Sequence, residues 1–134
     1  MLRYMLDTDI CIYAIKNKPP ELREKFNRQA PHLCISAVTH AELIFGAEKS
    51  AQVERNLSVV ENFAARMPVL AFDEKAAAHF GEIRAVLERR GTPIGAYDLL
   101  IAGHARSEGV VIVTNNTKEF GRVDGLRIEN WANR

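Results

Sequence analysis

The residues in this chain best suited to chemistry are acidic, and they recur in one kind of place. Asp7 and Asp9 close the run Arg3-Tyr-Met-Leu-Asp-Thr-Asp9. Glu42 follows soon after a second short apolar run. Asp98 opens a later helix, and Asn116 and Glu119 come just after Val110-Val-Ile-Val113. Each therefore lies at a strand end or in the opening turns of a helix. Two carboxylates about 4 Å apart repel by about 4 kcal/mol at an effective dielectric of 20. Three gathered together need protons or a cation. An all-oxygen set suits a hard ion such as Mg²⁺ or Mn²⁺ rather than Zn²⁺, which prefers His and Cys. Such an ion can activate a water to attack a phosphodiester. A plainer reading stands beside this one. Asp7, Thr8 and Asp9 are all good N-cap residues, and an acid in a first turn, such as Asp98, gains about 0.3–1 kcal/mol from the helix dipole. Spacing alone leaves both open.

The bulk figures narrow the field. A chain of 134 residues fits one domain, residues 1–134, with enough buried surface for a core that needs no staples. The net charge of +1 gives little long-range pull toward polyanions, so nucleic-acid contact must come from local patches. His32, His40, His79 and His104 are scattered, with no paired-ligand spacing, and each is expected at the surface or half-buried. Cys11 and Cys34 lack C-x-x-C spacing and sit among apolar neighbours, so both are expected to be buried reduced thiols. There is no Gly-rich phosphate loop and no G-x-S-x-G. No apolar run nears the roughly 20 residues that span a bilayer, and Asp7 and Asp9 interrupt the opening apolar stretch, unlike a signal peptide. The expectation is a cytoplasmic protein.

The elements that must position the acids follow from apolar patterning. Tyr4, Met5 and Leu6 read as a buried strand, followed by a helix over residues 10–16. Pro19 and Pro20 open another helix, with Glu21 in its first turn, and Pro31 ends it. Residues 33–35 form a second strand, and Ser36 caps a helix through Lys49, with Val38, Ala41, Phe45 and Glu48 on one side and Ala37, Ile44 and Ala47 widening its apolar face. A helix over residues 51–66 carries Val53, Leu57, Val60 and Ala64 on one stripe. Residues 69–72 form a third strand, and Asp73 caps a helix with Ala76, Phe80, Ile83 and Leu87 at helical spacing and Gly91 just past its end. The Asp98 helix ends near Gly109. The β-branched run 110–113 fits a strand covered on both faces, and residues 126–128 form a last strand before Trp131. Alternation of this kind predicts a mostly parallel sheet with helices on both faces.

Taken together, Met5-Leu-Asp-Thr-Asp9, Ile35-Ser-Ala-Val-Thr39 with Ala41-Glu42-Leu43, Asp98-Leu-Leu-Ile-Ala102 and Val113-Thr-Asn-Asn116 resemble the PIN-domain ribonucleases, most closely the VapC toxins of bacterial toxin–antitoxin pairs. The resemblance spans nearly the whole chain. It implies an α/β fold of three layers, α/β/α, and a Mg²⁺- or Mn²⁺-dependent RNA endonuclease. It also implies Asp7, Glu42 and Asp98 as metal-binding acids, with Thr8, Thr39 and Thr114 as supporting hydrogen-bonding groups. As partners it implies a cognate VapB-like antitoxin, a second copy in a homodimer, and an RNA substrate such as the anticodon stem-loop of initiator tRNA. Two positions depart from the family pattern. Asp9 stands where Asn or Ser is common, and Asn116 stands where a fourth acid usually falls, so Asn116 or Glu119 fills that role. Two rival readings remain. A phosphatase of the haloacid dehalogenase type would make Asp7 a nucleophile and Asp9 an acid/base, although only Asp124 and Glu129 follow Glu119 to supply its later metal motif. A non-catalytic RNA- or protein-binding module on the same fold is the other.

Overall fold

Successive strand residues point to opposite faces, and in the computed structural model, which describes residues 1–132, the three central strands use both. Tyr4 and Leu6, Leu33 and Ile35, and Val113 join one apolar cluster, whereas Met5, Cys34 and Ile112 join the other. A strand buried on both sides needs a helical layer above and below. The chain supplies them in order: β1 (Tyr4–Leu6), α1 (Thr8–Ile15), α2 (Pro20–Gln29), β2 (Leu33–Ser36), α3 (Ala37–Glu48), α4 (Val53–Ala64), β3 (Val69–Leu70), α5 (Glu74–Arg89), α6 (Ala96–Glu108), β4 (Val111–Val113), α7 (Thr117–Phe120) and β5 (Ile128–Glu129). Residues of α1 to α4 fill the first cluster, with Ile10, Leu22, Phe26, Leu43, Val60 and Phe63 fully packed. Residues of α5 to α7 fill the second, with Ile83, Leu87, Ile101, Ala105 and Phe120.

The sheet order is β3-β2-β1-β4-β5, and every pairing is parallel. The expected mostly parallel sheet is thus wholly parallel. All five carboxyl ends share one edge. The chain builds outward from β1 through β2 to β3, then returns to the other side of β1 for β4 and β5. The order therefore reverses between β1 and β4, which is the crevice where open α/β sheets bind ligands.

Caps are placed as the residues dictate. The Ser36 hydroxyl accepts from the Val38 N–H at 3.0 Å, the Asp73 carboxylate accepts from the Ala76 N–H at 3.0 Å, and Gly91 follows α5 at φ +70°. Cys11 and Cys34 are free and buried. Among the described residues no helix is long and apolar enough to cross a membrane.

Several local expectations are corrected. Helix α3 docks through Thr39, Leu43 and Ala47 and leaves Phe45 63% exposed; a helix apolar nearly all round has no unique stripe, so tertiary packing chooses the face. Pro31 lies in a 3₁₀ turn over Ala30–His32 rather than closing α2, which ends at Gln29. Strand β3 is only two residues long because the chain then turns to set Phe72 edge-on to His104, with ring centres 5.5 Å apart. The last strand is shifted to Ile128–Glu129, since Ile112 and Val113 pair with those residues and Leu126 packs into the α5–α6 core instead. The short helix α7 was not foreseen. His104 is fully buried rather than superficial: its Nδ1 lies 2.7 Å from the Ser36 hydroxyl, and burial lowers its pKa.

Helices α5 and α6 approach each other closely at Gly103, where an added Cβ would lie 2.7 Å from the Phe80 nitrogen and 2.9 Å from its Cα. Backbone cannot swing aside as a side chain does. Gly103→Ala is expected to lower unfolding stability by about 1–3 kcal/mol in urea titration. Gly81→Ala, on α5 with open space around it, is expected to raise it by up to about 1 kcal/mol. Equal effects would show that helix propensity, not helix contact, governs both positions.

Candidate active site at the carboxyl edge of the sheet

Asp7 is the residue at the reversal point. It ends β1 and is the N-cap of α1, and its N–H donates to the Val113 carbonyl of β4 at 2.9 Å. Its side chain is 3% exposed. One carboxylate oxygen, Oδ1, accepts from the Thr8 N–H at 2.7 Å, and the other, Oδ2, accepts from the Thr114 hydroxyl at 2.8 Å. Thr114 is itself fixed, because its oxygen accepts the Asn116 N–H at 2.9 Å. Two donors do not replace the water that a carboxylate loses on burial. Burial pushes Asp7 up to about 7, with the charges of Asp98 and Asp9 adding to the rise and the Thr114 and Thr8 hydrogen bonds opposing it.

The other acids arrive from both helical layers. On the α1–α4 side, Glu42 sits in the second turn of α3, where its Oε1 accepts from the Thr8 hydroxyl at 2.6 Å; that hydroxyl also lies 3.3 Å from the Thr39 hydroxyl. On the α5–α7 side, Asp98 in the first turn of α6 accepts from the Asn116 amide at 3.1 Å. Burial raises Asp98 to about 6, helped by the charges of Glu119, Glu42 and Asp9 and opposed by Asn116. Glu119 of α7 behaves oppositely. Its Oε1 accepts the Gly95 N–H at 3.0 Å, and chiefly this bond lowers its pKa. Asp98 is the hub of the cluster, its charge felt by Asp7 and its own carboxyl raised by Glu119 and Glu42. Asp7 therefore caps α1 and at the same time lies close enough to Asp98 and Asp9 for their charges to raise its carboxyl.

Could these residues hold a cation? Among the described residues no Lys, Arg or His forms an ion pair with Asp7, Asp9, Glu42, Asp98 or Glu119. The chain thus gathers several negative groups around a buried carboxylate and supplies no ion-pair partner. Among the described residues no three His, Cys, Asp or Glu side chains stand close enough together to hold a metal ion between them as they are. The donor set is all oxygen, and it fits a hard divalent ion.

Spacing gives no sign of one contributor, because the Gly95 N–H that fixes Glu119 is a backbone group and leaves no side-chain signal. Asn116 is legible by position, while its amide bond to Asp98 appears only in the fold. The cleft between α1, α3 and α4, about 380 Å³ and mostly apolar, reaches this edge at Glu42.

Comparison with known proteins agrees with this geometry. Residues 4–126 match the PIN domain family. The chain is 59% identical to the tRNA(fMet)-specific endonuclease VapC of Shigella flexneri over 98% of its own length and 100% of that protein's. It superposes with a TM-score of 0.94 on a chain in the crystal structure of DNA-bound VapBC from Salmonella typhimurium, at 58% identity, covering 98% of this chain and 99% of that one. A more distant likeness is to VapBC-5 of Mycobacterium tuberculosis, a member of the VapBC family of toxin–antitoxin systems, with a TM-score of 0.71, 25% identity and coverage of 97% and 98%. The chain belongs to the PIN-domain family and, within it, to the VapC ribonucleases. The phosphatase reading falls with that membership.

The raised carboxyls carry a pH signature. An acid whose folded pKa exceeds its value in the unfolded chain stabilises the fold below the unfolded value and loses that contribution as pH climbs to the folded one. For Asp7 and Asp98 the window runs from 3.8, the ordinary value, up to about 7 and about 6. In the presence of a chelator the thermal midpoint is expected to fall between about pH 4 and about pH 7. Asp7→Asn is expected to flatten that slope and to melt a few degrees higher at the upper end; parallel curves would show that Asp7 is not the group responsible.

Proposed function

We propose that this chain is the toxin of a toxin–antitoxin pair: a Mg²⁺- or Mn²⁺-dependent endoribonuclease, residues 1–134 forming one domain, that inhibits translation by cutting initiator tRNA in its anticodon stem-loop. The observation that carries this reading is the buried Asp7 carboxylate at the sheet's reversal point, ringed by further acids with no ion-pair partner among the described residues. The VapC relative named for tRNA(fMet) supports the substrate, and the VapBC likenesses support a VapB-like antitoxin as partner. A homodimer acting in the cytoplasm fits the same reading.

Asp7, Asp98 and Glu42 would hold the ion, which when bound neutralises phosphate charge and makes a water a better nucleophile. The chain's own groups do the rest. The Thr8 hydroxyl turns Glu42 inward. The Asn116 amide holds one oxygen of Asp98 in place. Glu119, kept ionised by the Gly95 N–H, is the carboxylate able to take a proton beside Asp98. Asp9, exposed two residues after Asp7, adds negative charge at the mouth.

Purified protein incubated with initiator tRNA is expected to cut it with Mg²⁺ or Mn²⁺ and not with a chelator. Asp7→Asn is expected to lose about a thousandfold or more in rate. Either ion at millimolar concentration is expected to raise the thermal midpoint of the parent and not of Asp7→Asn. Hydrolysis of a simple phosphate monoester with no RNA cleavage would overturn the reading, as would toxicity that survives Asp7→Asn.

A further inference from the structure

One exposed aromatic side chain next to a site acid in the chain has no assigned role. Tyr97 lies in the first turn of α6, immediately before Asp98, and is 59% exposed. Phe45 is comparably exposed, but the Lys49 ammonium sits 5.2 Å from its ring centre. Among the described residues the Tyr97 ring has no such cationic or aromatic partner and its hydroxyl no hydrogen bond. A first-turn surface position does not call for Tyr on helix propensity, where it ranks below Ala or Glu.

The backbone beneath the ring is braced. The Glu119 carboxylate holds the Gly95 N–H, and the Arg122 guanidinium donates to the Pro93 carbonyl at 2.9 Å. Both clamps act on the loop that leads into α6. Consecutive Cα atoms are about 3.8 Å apart, so the backbone that carries the ring adjoins the backbone of Asp98. Single-stranded and loop RNA is gripped by stacking unpaired bases on exposed aromatic rings.

Resting on the nuclease reading above, we infer that Tyr97 is a stacking platform for an unpaired nucleobase next to the scissile phosphate, a determinant of which loop nucleotides the enzyme accepts. The ring supplies its face, and the hydroxyl is not required. Because the loop under it is already fixed, little ordering is left to oppose binding.

The test uses the full chain and an initiator-tRNA anticodon stem-loop oligonucleotide carrying 2-aminopurine at one loop position at a time. Tyr97→Ala is expected to raise KM about tenfold with kcat within about twofold, the effect of losing one stacked base. It is also expected to abolish the fluorescence quenching at one loop position, seen in an Asp7→Asn background where the RNA is bound but not cut. Tyr97→Phe and Tyr97→Trp are expected to restore both, and the thermal midpoint is expected to stay that of the parent. An unchanged KM and quench in Tyr97→Ala would overturn the stacking role while the nuclease reading stands. So would a Tyr97→Phe variant as impaired as Tyr97→Ala. A parent protein that neither binds nor cuts the oligonucleotide would overturn both.

Discussion

A single carboxylate held out of water, with only a backbone N–H and a threonine hydroxyl for company, is the constraint around which this molecule is arranged. Asp7 reaches that position because β1 is the central strand and its end faces the gap where the sheet changes direction. Hydrogen bonds from Thr8 and Thr114 orient the group without neutralising it. Its neighbours make matters worse, since Asp98 and Asp9 are of the same sign. Burying a charge without a counterion is costly in any fold. A protein that retains such a group has left part of its electrostatics to be completed by something that arrives later. On the proposed function, that something is a divalent cation and a phosphodiester.

The supporting contacts share a design. Each acid is held by a short polar side chain or a backbone group: Thr8 for Glu42, Thr114 for Asp7, Asn116 for Asp98, the Gly95 N–H for Glu119. None of these partners carries a positive charge. Orientation is thereby separated from neutralisation, so the acids are aimed inward while their demand for a cation stays intact. A lysine or arginine in any of these places would have quieted the cluster and removed its use.

Much of this could be read before any coordinates. Val111, Ile112 and Val113 declare a doubly covered strand by composition, and the caps Ser36 and Asp73 mark their helices locally. What could not be read is what depends on distance in space. Asp7 looks the same in sequence whether it only caps α1 or also meets Asp98, and it does both. The orientation of α3 was misjudged because nearly every side of it is apolar, so the choice of Leu43 over Phe45 for the core belongs to the neighbouring layers. His104 was placed too far out for the same reason: a lone histidine gives no local sign that Ser36, 68 positions earlier, waits beside it.

The acids are divided between the two helical layers, Glu42 beside α1 and Asp98 and Glu119 on the far side of the sheet, with Asp7 at the seam. Neither half owns a working set. During synthesis the first ninety residues can emerge and collapse without assembling the cluster, because Asp98, Thr114, Asn116 and Glu119 are still to come. On the proposed activity, a growing chain cannot cut RNA, and cleavage begins only once the final quarter has been released and docked.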